Sequence, residues 1–247
     1  MMCLWLLARL LCGGLLVCLV LIFLLFKHDF IMARSIGVTE FLARKFDVFD
    51  FEDKWLDSFG LPERNSKWIV YGHSGNGKTE FCMQLARYFC NFGKVYYNSF
   101  EQGISKSLQD CVQRNDFVPV KGKIVFGDKD SFDAMLVKLG ERNSARVVFI
   151  DSRDYLNLTA EQFRTLTKRF PRKSFVIICW ESGGKPKGEY AKSIEFMCDV
   201  KIRVDRFVAY PRSRFGGCAE YVVWENAPSL PQVNKVRVVE SGTLKLF

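Results

Sequence analysis

The sequence predicts an α/β fold: a mostly parallel central sheet flanked by helices, with antiparallel strands toward the C-terminus. Three observations carry this. Residues 72–79 read Gly72-His73-Ser74-Gly75-Asn76-Gly77-Lys78-Thr79, set between the apolar run Trp68-Ile69-Val70-Tyr71 and an amphipathic stretch. Short apolar runs then alternate with helix-period stretches, the pattern of repeated strand–helix–strand units. Finally, Arg146-Val147-Val148-Phe149-Ile150-Asp151 is a β-branched, continuous apolar run ending in a carboxylate, as expected of a strand buried on both faces of a parallel sheet.

The elements follow in order. Residues 79–92 place Phe81, Cys82, Leu85, Ala86, Phe89 and Phe92 on one helical face, and Gly93 supplies the stop. Lys94 to Asn98 reads as a strand, about 104–115 as a polar helix, Lys123 to Phe126 as a strand and about 131–142 as a helix. After the Arg146–Asp151 strand come a helix over 160–170, a buried strand from Ser174 to Cys179, a helix over 189–198 and a strand from Val200 to Val204. The tail, with Phe207 to Tyr210, Tyr221 to Trp224, Lys235 to Val239 and Thr243 to Phe247, reads as strands joined by Gly, Pro and Asn turns.

Three segments precede or contain these elements: 1–31, a hydrophobic N-terminal stretch; 32–66, a mixed lead-in with acidic Asp47, Asp50, Glu52 and Asp53; and 67–247, the α/β domain. Leu4 to Phe26 is interrupted only by Arg9, and at 1.5 Å rise per residue this stretch spans a bilayer's hydrocarbon core. It is a transmembrane-helix candidate, with Lys27, Arg34, Arg44 and Lys45 placing the remainder on the cytoplasmic side. The rival reading starts the working protein at Met32, which leaves an unanchored cytoplasmic domain; the amino-acid sequence does not choose between the two.

With 247 residues and 49% hydrophobic content the chain fills one ordinary α/β core and is neither collagenous nor broadly disordered. Of the net charge of +9, residues 168–247 contribute +7 (fifteen Lys/Arg against eight Asp/Glu). Such a surplus attracts phosphate backbones or anionic lipid, and equally serves as a solvated face. The nine cysteines form no C-x-x-C pair, and His28 and His73 offer no zinc spacing, so the thiols read as reduced and mostly buried.

The chemistry begins at the glycine-rich turn. A strand–turn–helix of this composition points backbone N–H groups at phosphate oxygens; Gly72, Ser74, Gly75, Asn76, Gly77, Lys78 and Thr79 form the cradle, Lys78 reaches the β/γ phosphates, and the Thr79 hydroxyl can ligand Mg²⁺. The ligand implied is a nucleoside triphosphate. His73 reads as a solvent-facing filler. Asp151, at the C-terminal end of its strand, suits the opposite side of a Mg²⁺ ion, the alternative being a helix-capping Asp in a turn shared with Ser152 and Asp154. Because residue 152 is Ser and not Glu, another carboxylate must polarise the attacking water. Glu101, just beyond the Lys94–Asn98 strand, is placed to do so if that strand neighbours the loop's own strand; otherwise it is a surface Glu.

Taken together, the loop, the Ser99-Phe100-Glu101 string, Val147 to Ser152 and the stretch Gly188 to Gly217 resemble the RecA-like P-loop ATPases, nearest the RadA, replicative DnaB-helicase and KaiC branch. The resemblance covers roughly residues 67–225. Glu189 to Val200 is similar to a helix-to-strand passage of RadA, and Arg212-Ser213-Arg214-Phe215-Gly216 is similar to its Lys-Asn-Arg-Phe-Gly motif, with Arg in place of the first Lys. The resemblance implies ATP and Mg²⁺ as ligands and a homo-oligomer, ring or filament. It further implies that Arg212 and Arg214 act across a subunit boundary on a neighbour's γ-phosphate; without it they are an ordinary basic β-turn. It also implies single-stranded DNA contacts from a loop after Cys179, where Lys185 and Lys187 could pair with phosphates and Trp180 could stack a base.

The expected function is therefore a Mg²⁺-dependent RecA-like ATPase acting on nucleic acid, in recombination, repair or a helicase-like role. The alternative is a membrane-tethered nucleotide switch or scaffold that does not bind DNA. A GTPase is disfavoured because Asn234-Lys235 is followed by Val236-Arg237 and not by a guanine signature, and a small-molecule kinase leaves Glu101 and the Arg212–Gly216 passage unexplained.

Overall fold

The computed structural model describes residues 35–225. The candidate span 4–26 and the expected strands at 235–239 and 243–247 lie outside the described residues. Among the described residues no helix is long and apolar enough to cross a membrane.

The chain divides into two compact units, residues 1–45 and 46–247. In the first, the described part holds a short helix, α1 (Val38–Leu42). In the second, α2 (Asp53–Phe59) precedes the strand–helix alternation β1 (Lys67–Gly72), α3 (Lys78–Phe89), β2 (Val95–Ser99), α4 (Lys106–Arg114), β3 (Ile124–Asp128), α5 (Phe132–Gly140) and β4 (Val147–Asp151). Then follow the short α6 (Arg153–Leu156), α7 (Ala160–Arg169), β5 (Ser174–Ser182), β6 (Lys185–Pro186), α8 (Glu189–Met197), β7 (Val200–Asp205), β8 (Val208–Ser213) and β9 (Tyr221–Val222).

The sheet runs β3-β2-β4-β5-β1-β7-β8-β9. All pairings from β3 to β7 are parallel; β8 and β9 are antiparallel, and β6 pairs antiparallel with β5 off the main path. This is the mostly parallel sheet with antiparallel C-terminal strands that the sequence implies.

Strand alternation sends side chains to two cores. On one face Trp68, Val70, Val147, Phe149, Val176 and Ile178 pack against α3 residues such as Phe81, Leu85 and Phe89. On the other, Ile69, Val148, Ile150, Phe175 and Ile177 pack against Met135 of α5, Phe163 and Leu166 of α7, and Ile194 of α8. Helices held to both faces bury the parallel strands completely, which is why their sequences run apolar without a break.

Three features depart from the sequence reading. The lead-in contains α2, too short to show a helical period; it forms because Trp55 and Phe59 find long-range partners. Trp55 stacks on Tyr88 at 4.8 Å, and Phe49, just before α2, meets Phe89 edge-on, also at 4.8 Å. Next, β5 continues past Cys179 to Ser182, so Trp180 and Glu181 belong to a strand and not to a loop. The turn Gly183-Gly184, with φ of 61° and 76°, joins Ser182 to its partner Lys185 as a two-residue hairpin, the geometry that a Gly-Gly pair favours. Lastly, β8 extends through Arg212, which therefore lies on a strand opposite Lys201.

Candidate active site

Strand β1 lies between β5 and β7, and the glycine loop leaves its C-terminal end. Gly72 is required there by close approach: a Cβ would meet the Val204 carbonyl oxygen at 2.2 Å. Gly77, at φ 92°, occupies the N-cap of α3 in the left-handed region, and a Cβ on it would sit 2.6 Å from the Phe207 ring. No side chain caps α3, so its first amides point out from the N-terminus with the positive end of the helix dipole.

These amides open onto a cleft of about 700 Å³ lined by Ser74, Gly75, Gly77, Lys78 and Thr79. The same cleft is lined by Glu101, Gln102 and Asp151, and on a further wall by Phe207, Val223 and Trp224. Lys78 donates from Nζ to the His73 carbonyl at 2.9 Å, which folds its ammonium back along the loop. Two loop positions read as phosphate contacts do not line the cleft. Gly72 packs under Val204, and the Asn76 side chain donates to Asp205 Oδ1 at 2.8 Å.

Asp151 ends β4, opposite Ser99 of β2, and is 4% exposed. Its Oδ2 accepts a 2.6 Å hydrogen bond from the Tyr97 hydroxyl, which is wholly buried on the neighbouring strand. Burial pushes the Asp151 carboxyl up to about 6; the Tyr97 bond opposes this, the nearby Glu101 charge adds to it, and Lys78 opposes it. A buried carboxylate beside a single hydroxyl donor is an anion short of a counter-charge, and a divalent cation would supply one.

The Thr79 hydroxyl and the Asp151 carboxylate suit magnesium in donor chemistry, because hard oxygen ligands are what that ion takes, with phosphate oxygens and water filling other positions. Among the described residues no group of three or more His, Cys, Asp and Glu side chains comes together, so these two are the protein donors available in the cleft.

Glu101 reaches the cleft by a different route from the one its position suggests. Strand β2 does not neighbour β1, because β4 and β5 lie between them. Instead the turn after β2 folds over the tip of β4: the amides of Phe100 and Glu101 both donate to the Asp151 carbonyl, the latter at 3.0 Å. The two carboxylates therefore sit on adjacent strand tips, joined through one backbone oxygen. Asp154, the other acid of that turn, is structural: its Oδ2 accepts from the Trp180 amide at 2.7 Å and ties α6 to β5.

Arg212 and Arg214 do not enter this cleft. Arg212 is exposed on β8 among the residues lining a separate depression with Lys201, Arg203 and Glu195, and Arg214 is ion-paired to Asp199 at 3.3 Å. Lys185 and Lys187 are exposed on the β5–β6 hairpin and just beyond it. Trp180 is half-buried, edge-on to Tyr155 at 5.4 Å, with Lys187 Nζ 5.0 Å from its ring centroid.

Several neighbours of the site escape sequence reading. Phe207 and Trp224 meet at 5.4 Å along the cleft wall, and Glu80, one residue past Thr79, is held by Arg114 at 2.9 Å and Asn115 at 2.6 Å. Burial of Glu80 is outweighed by those donors, which hold its carboxyl below the usual range. Only the aromatic character of 207 and 224 is visible in the sequence; their partners are distant along the chain.

No family model matches this sequence, and no curated protein does. Among solved structures, the ATPase domain of a DnaB-like helicase aligns over 64% of this chain and 80% of that one, at 13% identity and a TM-score of 0.47. The class therefore rests on the chain's own geometry: an α/β fold whose glycine loop, uncapped helix and two strand-tip carboxylates share one cleft.

Proposed function

We propose that the chain is a Mg²⁺-dependent ATPase of the RecA-like kind, nearest the RadA, DnaB-helicase and KaiC branch, working as a head-to-tail oligomer on single-stranded nucleic acid. The observation that carries this is the shared cleft: the loop amides, Lys78, Thr79, Asp151 and Glu101 line one space of about 700 Å³.

In this reading the amides at the start of α3 take the β-phosphate oxygens, and Lys78 exchanges the His73 carbonyl for phosphate oxygens and offsets their charge. Thr79 and Asp151 hold magnesium, which when bound neutralises charge between the β- and γ-phosphates. Glu101, pinned through its amide to Asp151, orients water at the γ-phosphate and draws off its proton. Phe207 and Trp224 exclude water from the far wall. The site is unfinished in one chain because no guanidinium from the Arg212–Arg214 passage reaches it, and a neighbour's Arg212 or Arg214 would complete it. The exposed lysines of the β5–β6 hairpin would take the nucleic-acid phosphates.

The test is steady-state ATP hydrolysis by the parent, Lys78→Ala and Glu101→Gln, with ATP binding measured alongside. Lys78→Ala should lose binding and turnover. Glu101→Gln should keep binding and lose turnover by roughly 10²–10⁴-fold, the range expected for general-base catalysis. Unaltered hydrolysis by Lys78→Ala sinks the proposal.

A further inference from the structure

Two side chains of the phosphate loop take no part in the cleft. His73 and Asn76 occupy positions that the loop pattern leaves open, yet both are attached to the same ionic network at the tips of β5 and β7. Asn76 donates from Nδ2 to Asp205 Oδ1 at 2.8 Å and accepts at its carbonyl from the Phe207 amide at 3.1 Å. Asp205 Oδ2 lies 3.5 Å from Arg203, whose Nε faces both oxygens of Glu181 at 3.1 Å. The Glu181 side chain is 1% exposed, and its Oε1 also lies 3.7 Å from His73 Nε2. The loop is thus gripped at its second and fifth residues by acids from two strands that flank β1.

This grip answers a physical need. Gly75 and Gly77 adopt the left-handed region, and a loop with such residues loses much conformational freedom when a ligand orders it. A fastening made in the absence of ligand removes part of that loss from the binding step, which is the meaning of preorganisation. Because the Glu181 carboxylate is buried and its guanidinium partner is fixed by two bonds, the anchor is stiffer than a surface ion pair.

We infer that Glu181, Arg203 and Asp205 are positioning residues for the phosphate loop, holding it through Asn76 and His73 in the shape that receives the triphosphate. The inference rests on the nucleotide-binding reading above. It assigns a role in ground-state affinity and not in the chemical step, since none of the three lines the cleft.

The experiment compares KM and kcat for ATP, with direct ATP titration, in the full chain and in Asn76→Ala, Asp205→Ala, Asp205→Asn and the double variant Asn76→Ala/Asp205→Ala. Asn76→Ala and Asp205→Ala should each weaken ATP about tenfold, which corresponds to about 1.4 kcal/mol, with kcat held within about twofold. Since both remove the same contact, the double variant should also lose about tenfold and not about a hundredfold. Asp205→Asn keeps an oxygen for Asn76 and should recover most of the affinity. Multiplying losses in the double variant, or an unchanged KM in Asn76→Ala, overturns the inference. If Asp205→Ala fails to fold, Asn76→Ala against Asp205→Asn carries the test: loss in the first and retention in the second support the anchor, and any other pair of results refutes it. A parent that neither binds nor hydrolyses ATP removes the function itself and this inference with it, whereas an active parent with multiplying losses removes the inference alone.

Discussion

Replacing Asp151 by Asn should stabilise the nucleotide-free protein at neutral pH while abolishing hydrolysis. The Asp151 carboxyl titrates at about 6 in the folded chain against an ordinary 3.8, chiefly because it is buried. The folded state therefore keeps its proton to higher pH than the unfolded state does. Its contribution to stability is fully present below about pH 3.8, falls as pH rises between the two values, and is gone above about 6. A gap of about two pH units converts to roughly 3 kcal/mol, at 1.36 kcal/mol per unit. Asparagine is isosteric, carries no charge, and its oxygen can still accept from the Tyr97 hydroxyl, so it should recover most of that penalty at pH 7.

For a domain of this size the gain corresponds to a rise in Tm of roughly 6–10 °C. The assay is thermal melting of parent and Asp151→Asn without nucleotide or divalent cation, from pH 4 to pH 8. The difference should be small at pH 4 and plateau above pH 6. A variant less stable than the parent at pH 7, or a difference that ignores pH, would refute the account of Asp151 as a buried anion short of a counter-charge.

Other outcomes follow from the same geometry. Arg212→Ala lacks the trans guanidinium but keeps its loop, and Lys78→Ala has the converse defect, so mixing the two inactive variants should restore activity at roughly one interface in four by random pairing; no recovery, repeated with Arg214→Ala, would remove the trans assignment. Lys185→Ala and Lys187→Ala should each lower the slope of log K against log salt for single-stranded DNA by roughly 0.7, and an unchanged slope would take the hairpin out of nucleic-acid binding. Gly72→Ala should cost about 1–3 kcal/mol, because its Cβ must displace the Val204 carbonyl that lies 2.2 Å from where it would sit, and a wild-type melting curve would contradict that packing.

What the sequence revealed and what it hid divide along physical lines. The loop at 72–79 and the strands holding Val147–Ile150 and Phe175–Cys179 were legible because local pattern alone specifies them: glycines for left-handed turns, unbroken apolar residues for two-sided burial. Asp151 could be placed at a strand tip for the same reason. Glu101 was legible as an acid past a strand, but not its route to the cleft, which depends on strand order and on two amides bonding a carbonyl far along the chain. The continuation of β5 through Trp180 and Glu181 was hidden by their polarity, although Gly183-Gly184 carried a hairpin signal. The Glu181–Arg203–Asp205–Asn76 network and the Phe207–Trp224 wall join residues distant in sequence, and no local period encodes such pairings.

The aromatic lead-in has a consequence for where this domain can be cut. Phe49, Phe51, Trp55 and Phe59 close over Trp68, Tyr88 and Phe89, so a truncation beginning at the first core strand would leave those rings facing water. Exposing that much ring surface invites aggregation before any nucleotide can be offered. The shortest well-behaved fragment should therefore begin upstream of Phe49, well before the glycine loop that gives the protein its chemistry.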